Sequence, residues 1–328
     1  MAGRGTRLRP HTLTVPKPLV EIAGKSIVRR LVEDLASAYG GPIDEVAFII
    51  GDFGPEAEAE LIELAESLGA KGSIYHQNEK LGTAHAILCA KDSLEGNVIV
   101  AFADTLFKSD FKLDTEQDGL LWVQKIEDPS AYGVVTLNEE GVIVEFVEKP
   151  TSFVSDLAII GIYYFKDGNL LKKELQYLID NDLKDRGEYQ ITNALENMKN
   201  KGIKFKTLTI EEWLDCGNKN AVIYATERVL EIKKDAAITP EDLKIENSTI
   251  IQPCFISGDV TIKNSVIGPH VSIGTKTVIE NSIISKSIIQ DNSIVTNVVT
   301  ENSMLGSHTE YVAKKSELSL SDYSKYHQ

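Results

Sequence analysis

The last third of the chain repeats at a spacing that neither a helix nor an ordinary strand uses. Ile245, Ile250, Ile256, Ile262, Ile267, Ile273, Ile279, Ile284, Ile289 and Val295 put an aliphatic residue at every fifth or sixth position, with Gly, Asn and polar residues between. A helix would repeat at about 3.6 and a half-buried strand at about 2. A period of this length fits a β-solenoid, in which each flat face of a coil gives one short strand and one inward aliphatic, and stacked coils join these into a continuous core. An ordinary all-β domain would need alternation and hairpin turns, which are largely missing. The spacing therefore predicts a solenoid over residues 245–312, a polar tail over 313–328 and a linker over 231–244.

The first two thirds read differently. From residue 20 to about 105 helix-like and strand-like stretches alternate, the pattern of βαβ units around a parallel sheet. "KSIVRRLVEDLASAYG", "EAEAELIELAESLG" and "GTAHAILCAKDSL" read as helices; "EVAFIIG", "GSIYHQ" and "NVIVAFADTLF" read as strands. After Gly119 come strands with hairpin-like turns, then helices at "GNLLKKELQYLIDN" and "YQITNALENMKNKG", the strand "IKFKTLTI" and a helix near residues 218–233. One α/β domain thus covers residues 1–230.

Composition narrows the functional classes. With 328 residues, 42% of them hydrophobic, and no apolar run near the length of a membrane span, the chain reads as a soluble protein of about two domains, with no membrane partner. A formal charge of −15 argues against a nucleic-acid-coating protein, which needs a broad cationic surface. Cys89, Cys216 and Cys254 are odd in number and far apart, suggesting neither a disulfide framework nor a zinc cluster. With no signal peptide before the first motif, the expected compartment is the cytoplasm.

Cationic character gathers at the N-terminus. In "MAGRGTRLRPHTLTVPKPL", Gly3 and Gly5 can take positive φ and let backbone N–H groups approach an anion, while Arg4, Arg7 and Arg9 add charge. Such a loop is suited to phosphate. Asp104 follows the apolar run "VIVAFA", which puts its carboxylate at the C-terminal edge of a strand, where open α/β sheets bind ligands.

The string G-R-G-T-R-L-R-P, followed by T-L-T-V-P-K-P-L, resembles the N-terminal signature of the sugar-1-phosphate nucleotidylyltransferases. "QNEKLGTAHA", "AFADTLF", "YGVVTLNEEGVIVEFVEKP" and "RGEYQITNAL…EWLDCG" match in the family's order, and together they span nearly all of residues 1–228. "VIGPHVSIG" and "GDVTIKNS" resemble the hexapeptide repeats of left-handed parallel β-helices, attached to longer members. The resemblance implies a Rossmann-like nucleotidyltransferase (GT-A-like) α/β domain with a mixed central sheet, followed by a short left-handed parallel β-helix. It also implies transfer of a nucleoside monophosphate from UTP or dTTP to a hexose 1-phosphate, with Mg²⁺ as cofactor. Because the phosphate nucleophile is already ionised, such chemistry needs positioning and charge neutralisation, with no catalytic base.

By the same resemblance Arg7, Lys17, Asp104 and Asp215 are catalytic, and Asp104 and Asp215 hold the metal. Ala2, Gly3, Gly5, Thr6, Gln77, Leu81, Gly82 and Thr83 bind the nucleotide, with Gln77 reading the pyrimidine edge. Gly133, Glu148, Lys149, Gly161 and Glu188 meet the sugar phosphate. His85 is left outside the site. Ala103 stands where the family has Gly. Members that take N-acetylglucosamine 1-phosphate carry Asn-Thr-Gly where this chain has Ile159-Ile160-Gly161, so glucose 1-phosphate is the expected substrate. Three rivals stand beside this reading: a bifunctional uridylyltransferase/acyltransferase using His270 or His308, a mannose-1-phosphate guanylyltransferase, and a non-catalytic regulatory paralogue. The solenoid is expected to hold a homo-oligomer together. In the family an apolar strand feeds the glycine loop, so Met1 is expected to be an internal residue with an apolar segment upstream.

Overall fold

The computed structural model describes residues 5–110, 112–233, 240, 243–314, 317 and 319–325. Contacts divide the chain into two units, Met1–Val20 with Lys25–Ala221, and Glu21–Gly24 with Val222–Gln328. The division falls inside the helix Lys219–Ile232, upstream of residue 230.

The first unit is built on a mixed six-stranded sheet. Its ladder runs Phe205–Thr209, Gly119–Lys125, Leu157–Phe165, Gly133–Leu137 and Ile143–Glu148, with Val98–Ala101 also on Leu157–Phe165. Phe205–Thr209 lies parallel to Gly119–Lys125, and the other pairs are antiparallel. Leu157–Phe165 is the hub; eight of its nine residues are buried, as expected of a strand covered on both faces. The helices Gly168–Asp180 and Ile191–Asn200 turn Leu171, Leu175 and Leu195 into the same core as Leu121, Phe165 and Phe205. Asp167 caps the first of these helices, its Oδ1 accepting from the N–H groups of Asn169 and Leu170 at 3.0 and 3.1 Å. Glu45–Ile50 and Lys71–His76 form a separate parallel pair joined through the helix Pro55–Ser67, one βαβ unit. Among the described residues, Glu45–Ile50 has a ladder partner on one side only.

The run "NVIVAFADTLF" reads as one strand in sequence, but the structure breaks it in two. Val98–Ala101 stays in the main sheet, and a turn closed by Thr105 N–H to Phe102 O at 3.2 Å redirects the chain. Thr105–Lys108 then pairs antiparallel with Glu212–Asp215. The apolar pattern is continuous across the break because Val98–Ala101 is half-buried and Thr105–Phe107 is buried, so hydrophobicity could not mark the turn.

The second unit contains a β-solenoid of parallel strands in three ladders. One face stacks Lys244, Thr261, Val278, Ile294 and Glu310, so a coil takes 17 residues and later 16. Ile256, Ile262, Ile267, Ile273, Ile279, Ile284, Ile289 and Val295 are buried, forming the expected column. Ile245 departs from it: it stands in the first coil and is 42% exposed, because among the described residues no coil stacks beneath it. Corners are turned by residues in the left-handed region, Asn247, Asn264, Asn281 and Asn297 at one of them, with φ between 46° and 60°. Asn tolerates that conformation better than most side chains, which explains why it recurs between the aliphatics.

Candidate functional site

The structure places the four expected catalytic residues in the first unit. Asp104 sits in the turn after Ala101, and Asp215 ends the strand paired with Thr105–Lys108, directly opposite Thr105. Cys216 N–H donates to the Asp104 carbonyl at 2.9 Å, locking the two segments together. Two carboxylates 111 positions apart in sequence are thereby neighbours. Lys17, only 8% exposed, donates from Nζ to Asp104 Oδ2 at 2.9 Å. Burial raises the Asp215 carboxyl above its ordinary value, and the charge of Asp104 adds to that; Lys17 and Arg7 pull the other way.

The glycine loop meets the same cluster. Gly5 has φ 61°, and a Cβ there would lie 2.8 Å from the Lys17 Cβ, so a side chain would push against the lysine. Thr6 opens the 3₁₀ turn Thr6–Leu8, which carries Arg7. Thr12 Oγ1 donates to Gly5 O at 2.8 Å and holds the loop closed. Ala2, Gly3 and Arg4 lie outside the described residues.

The expected nucleotide group forms a clip between two loops. Gln77 continues the strand Lys71–His76, its N–H donating to Ile50 O at 2.8 Å, and its Nε2 donates to Gly82 O at 3.1 Å. Gly82 has φ 108°, and a Cβ there would be 2.7 Å from Tyr189 N, so only glycine lets the loops close. Tyr189 N–H donates to Leu81 O and Ala84 N–H to Tyr189 O, at 2.8 and 2.9 Å. Thr83 Oγ1 donates to Gln190 Oε1 at 3.2 Å and accepts from Ile191 N–H at 3.0 Å.

The expected sugar-phosphate group is reached through that clip. Gln190 Nε2 donates to Glu188 Oε2 at 3.1 Å. Gly133 pairs with Glu148 across the Gly133–Leu137 and Ile143–Glu148 ladder, and Thr192 Oγ1 lies 3.4 Å from Glu148 Oε2. Lys149 takes φ 44°, with Nζ 3.7 Å from Glu148 Oε1, and Arg186 Nη2 donates to its carbonyl at 2.7 Å. Gly161 has φ 85°, and its carbonyl accepts from Phe102 N–H at 2.9 Å.

Sequence reasoning missed several residues drawn into this site. His85 Nδ1 is 3.2 Å from Gln77 Nε2. Gln190 and Thr192 hold the expected residues in place, as above. Tyr132 stacks edge-on to Trp213 at 4.8 Å, and its hydroxyl is held protonated first by burial and then by the charge of Asp215. Its place beside Gly133 in a quoted motif was visible in sequence, but nothing in the spacing marked its side chain.

The donor set tests whether a divalent cation fits. Asp104 and Asp215 offer hard oxygen ligands whose mutual repulsion is only partly relieved by Lys17 and Arg7, an arrangement that a hard divalent ion would complete.

Comparisons with known proteins show the family and the fold. The family model described as Nucleotidyl transferase matches residues 1–232. A glucose-1-phosphate thymidylyltransferase of Streptomyces antibioticus is 30% identical over 93% of this chain and 90% of its own length. The catalytic subunit beta of a Drosophila pseudoobscura pseudoobscura mannose-1-phosphate guanylyltransferase is 36% identical, over 54% of this chain and 49% of its own length. A solved Bacillus anthracis chain, assigned to the glucose-1-phosphate thymidylyltransferases and crystallised with sucrose, superposes with TM-score 0.58 at 21% identity, covering 69% of this chain and 91% of that one, a likeness of fold.

Proposed function

Because the chain belongs to the nucleotidyl transferase family, we propose that it transfers a nucleoside monophosphate from UTP or dTTP to a hexose 1-phosphate, glucose 1-phosphate in particular. The observation that carries the reading is the assembly of Arg7 and Lys17 from the N-terminal stretch with Asp104 and Asp215 from two distant ones into one charge-compensated cluster. A regulatory paralogue with no reaction to perform would have no use for all four.

In the proposed reaction a phosphate oxygen of the sugar 1-phosphate bonds to the α-phosphorus, the α-phosphorus–oxygen bond to the β-phosphate breaks, and pyrophosphate leaves with that electron pair. The nucleophile is an anion at pH 7, so no proton has to be removed. Gly5 and Thr6 present backbone to the triphosphate, and Arg7 and Lys17 neutralise charge that spreads over the phosphate oxygens as the bonds exchange. Asp104 and Asp215 would hold Mg²⁺, which supplies Lewis-acid neutralisation of phosphate oxygens. Lys17 donates to Asp104, and its Nζ would turn to phosphate once that carboxylate is otherwise engaged.

Gln77 supports a pyrimidine, since its amide offers both donor and acceptor to a uracil or thymine edge. Ile159 and Ile160 are buried and carry no polar side chain toward an acetamido group, which supports glucose over the N-acetyl sugar. His270, the rival acyltransferase candidate, lies between two glutamates, an arrangement unsuited to an exposed catalytic base. Among the described residues no helix is long and apolar enough to cross a membrane. We further propose that copies assemble through the solenoid, where Val266, Ile283 and Val299 stack in register and the last two are 53% and 79% exposed.

The test is a grid of UTP, dTTP and GTP against glucose, N-acetylglucosamine and mannose 1-phosphates, read by pyrophosphate release. The highest kcat/KM is expected for a pyrimidine nucleotide with glucose 1-phosphate. A maximum at GTP with mannose 1-phosphate, or with the N-acetyl sugar, overturns the assignment of base or sugar.

A further inference from the structure

Glu227 and Glu231 lie four residues apart on the helix Lys219–Ile232, so both leave one face of it. His270 stands at a solenoid corner with φ 61°, fixed on both sides by its backbone: its N–H donates to Pro253 O at 2.7 Å, and its carbonyl accepts from Ser287 N–H at 3.2 Å. All three residues belong to the second unit, apart from the cluster around Asp104. One ligand atom from each lies within 4.8 Å of the others.

The imidazole faces a carboxylate from each nitrogen. Nε2 is 3.0 Å from Glu231 Oε1, and Nδ1 is 3.7 Å from Glu227 Oε1, with the ring side chain only 12% exposed. Nδ1 is buried and has no hydrogen-bond partner among the described residues. A neutral imidazole has one N–H. If Nε2–H donates to Glu231, Nδ1 turns a lone pair toward an anionic oxygen, a repulsive pairing that a cation between them would convert into ligation. The separation suits that role: two ligands at about 2.0–2.2 Å from one tetrahedral ion stand roughly 3.4 Å apart. Glu231 is also engaged by Arg228, which fits an outer carboxylate better than a metal ligand.

We propose that His270 Nδ1 and Glu227 form a binding site for a divalent transition cation of the Zn²⁺ class, with Glu231 accepting a hydrogen bond from Nε2–H. This is the carboxylate–histidine–metal arrangement, in which the outer carboxylate fixes the tautomer and raises the basicity of the ring. Water completes the coordination. The cation ties the helix Lys219–Ile232 to the solenoid corner.

The test uses the full chain, stripped with chelator and desalted, then dialysed against Zn²⁺ and, separately, Co²⁺. Wild type is expected to bind one more equivalent of Zn²⁺ than either His270→Gln or Glu227→Gln, with a Co²⁺ visible spectrum that both variants lose. Glu231→Gln should weaken this site by roughly 10–100-fold without abolishing it. Imidazole ¹⁵N resonances of the wild type should show a lone pair on Nδ1 that shifts on Zn²⁺ addition, a readout that needs no variant to fold. Equal Zn²⁺ stoichiometry and affinity in wild type and Glu227→Gln overturns the proposal. So does an imidazole protonated on both nitrogens and unmoved by Zn²⁺, which would make the trio an ion-pair clamp.

Discussion

Asp215 is held above the ordinary carboxyl range by burial first and by Asp104 second, so the fold disfavours its ionised form. The sign of the pH dependence follows. Stability from this group is greatest at low pH, where Asp215 is protonated in both states. It declines as pH rises from the unfolded value near 3.9 through the raised folded value, and stays reduced above it. Asp215→Asn in metal-free protein should therefore melt higher than wild type at pH 7, with the gap closing near pH 3. A gap of the same size at both values, read by calorimetry, contradicts the assignment. The same substitution, or Asp104→Asn, should lower turnover by about 100-fold or more, because each removes a charged oxygen from the site proposed to neutralise the reacting phosphates. Near-normal turnover at ordinary Mg²⁺ would remove these residues from the mechanism. Lys17→Met, which leaves Asp104 without its cation, should lose a similar factor in kcat and gain no stability.

At the scale of elements, the clip between Gly82 and Tyr189 holds together two loops that carry the proposed nucleotide-binding residues. Gly82→Ala places a Cβ against the Tyr189 backbone at a φ of 108°, and the loops must part. Strain of about 1–2 kcal/mol should appear as a roughly tenfold rise in nucleotide KM with a smaller change in kcat. An unchanged KM would mean that the clip does not shape the base site. This clip was invisible in the sequence, since its partners are 107 positions apart and each reads locally as an ordinary turn. Elements with a clear local pattern were legible: the helix Ile27–Tyr39, whose Ile27, Val28 and Leu31 are buried, and the strand Glu45–Ile50 both fall where the pattern put them. The turn at Asp104 was not, because a continuous apolar run hid a change of sheet. Gly5, Gln77, Gly82, Asp104 and Asp215 could be named because their motifs resemble a family. His85, Gln190 and Tyr132 had no such marker and emerged only from contacts.

For the whole molecule, the solenoid's stability rests on its column of buried aliphatics, and the column is uneven. Ile279, fully buried in a middle coil, should cost about 2–5 kcal/mol on change to Ala, whereas Ile245, 42% exposed in the first coil, should cost well under half of that. Equal losses in chemical denaturation would show that burial along the column does not set its stability. The ladder itself has a further consequence. Every strand in it bonds to its equivalent 16 or 17 positions away, so no coil is tied directly to a distant one. Such an array behaves as a row of coupled neighbours, and it can open from one end while the middle stays shut. Tyr311 and Val312, 48% and 52% exposed in the last coil, mark one end that gives way. Amide exchange should then be graded, fastest at Glu310–Val312 and slowest around Ile262 and Ile279, as a rope frays from its cut end one turn at a time.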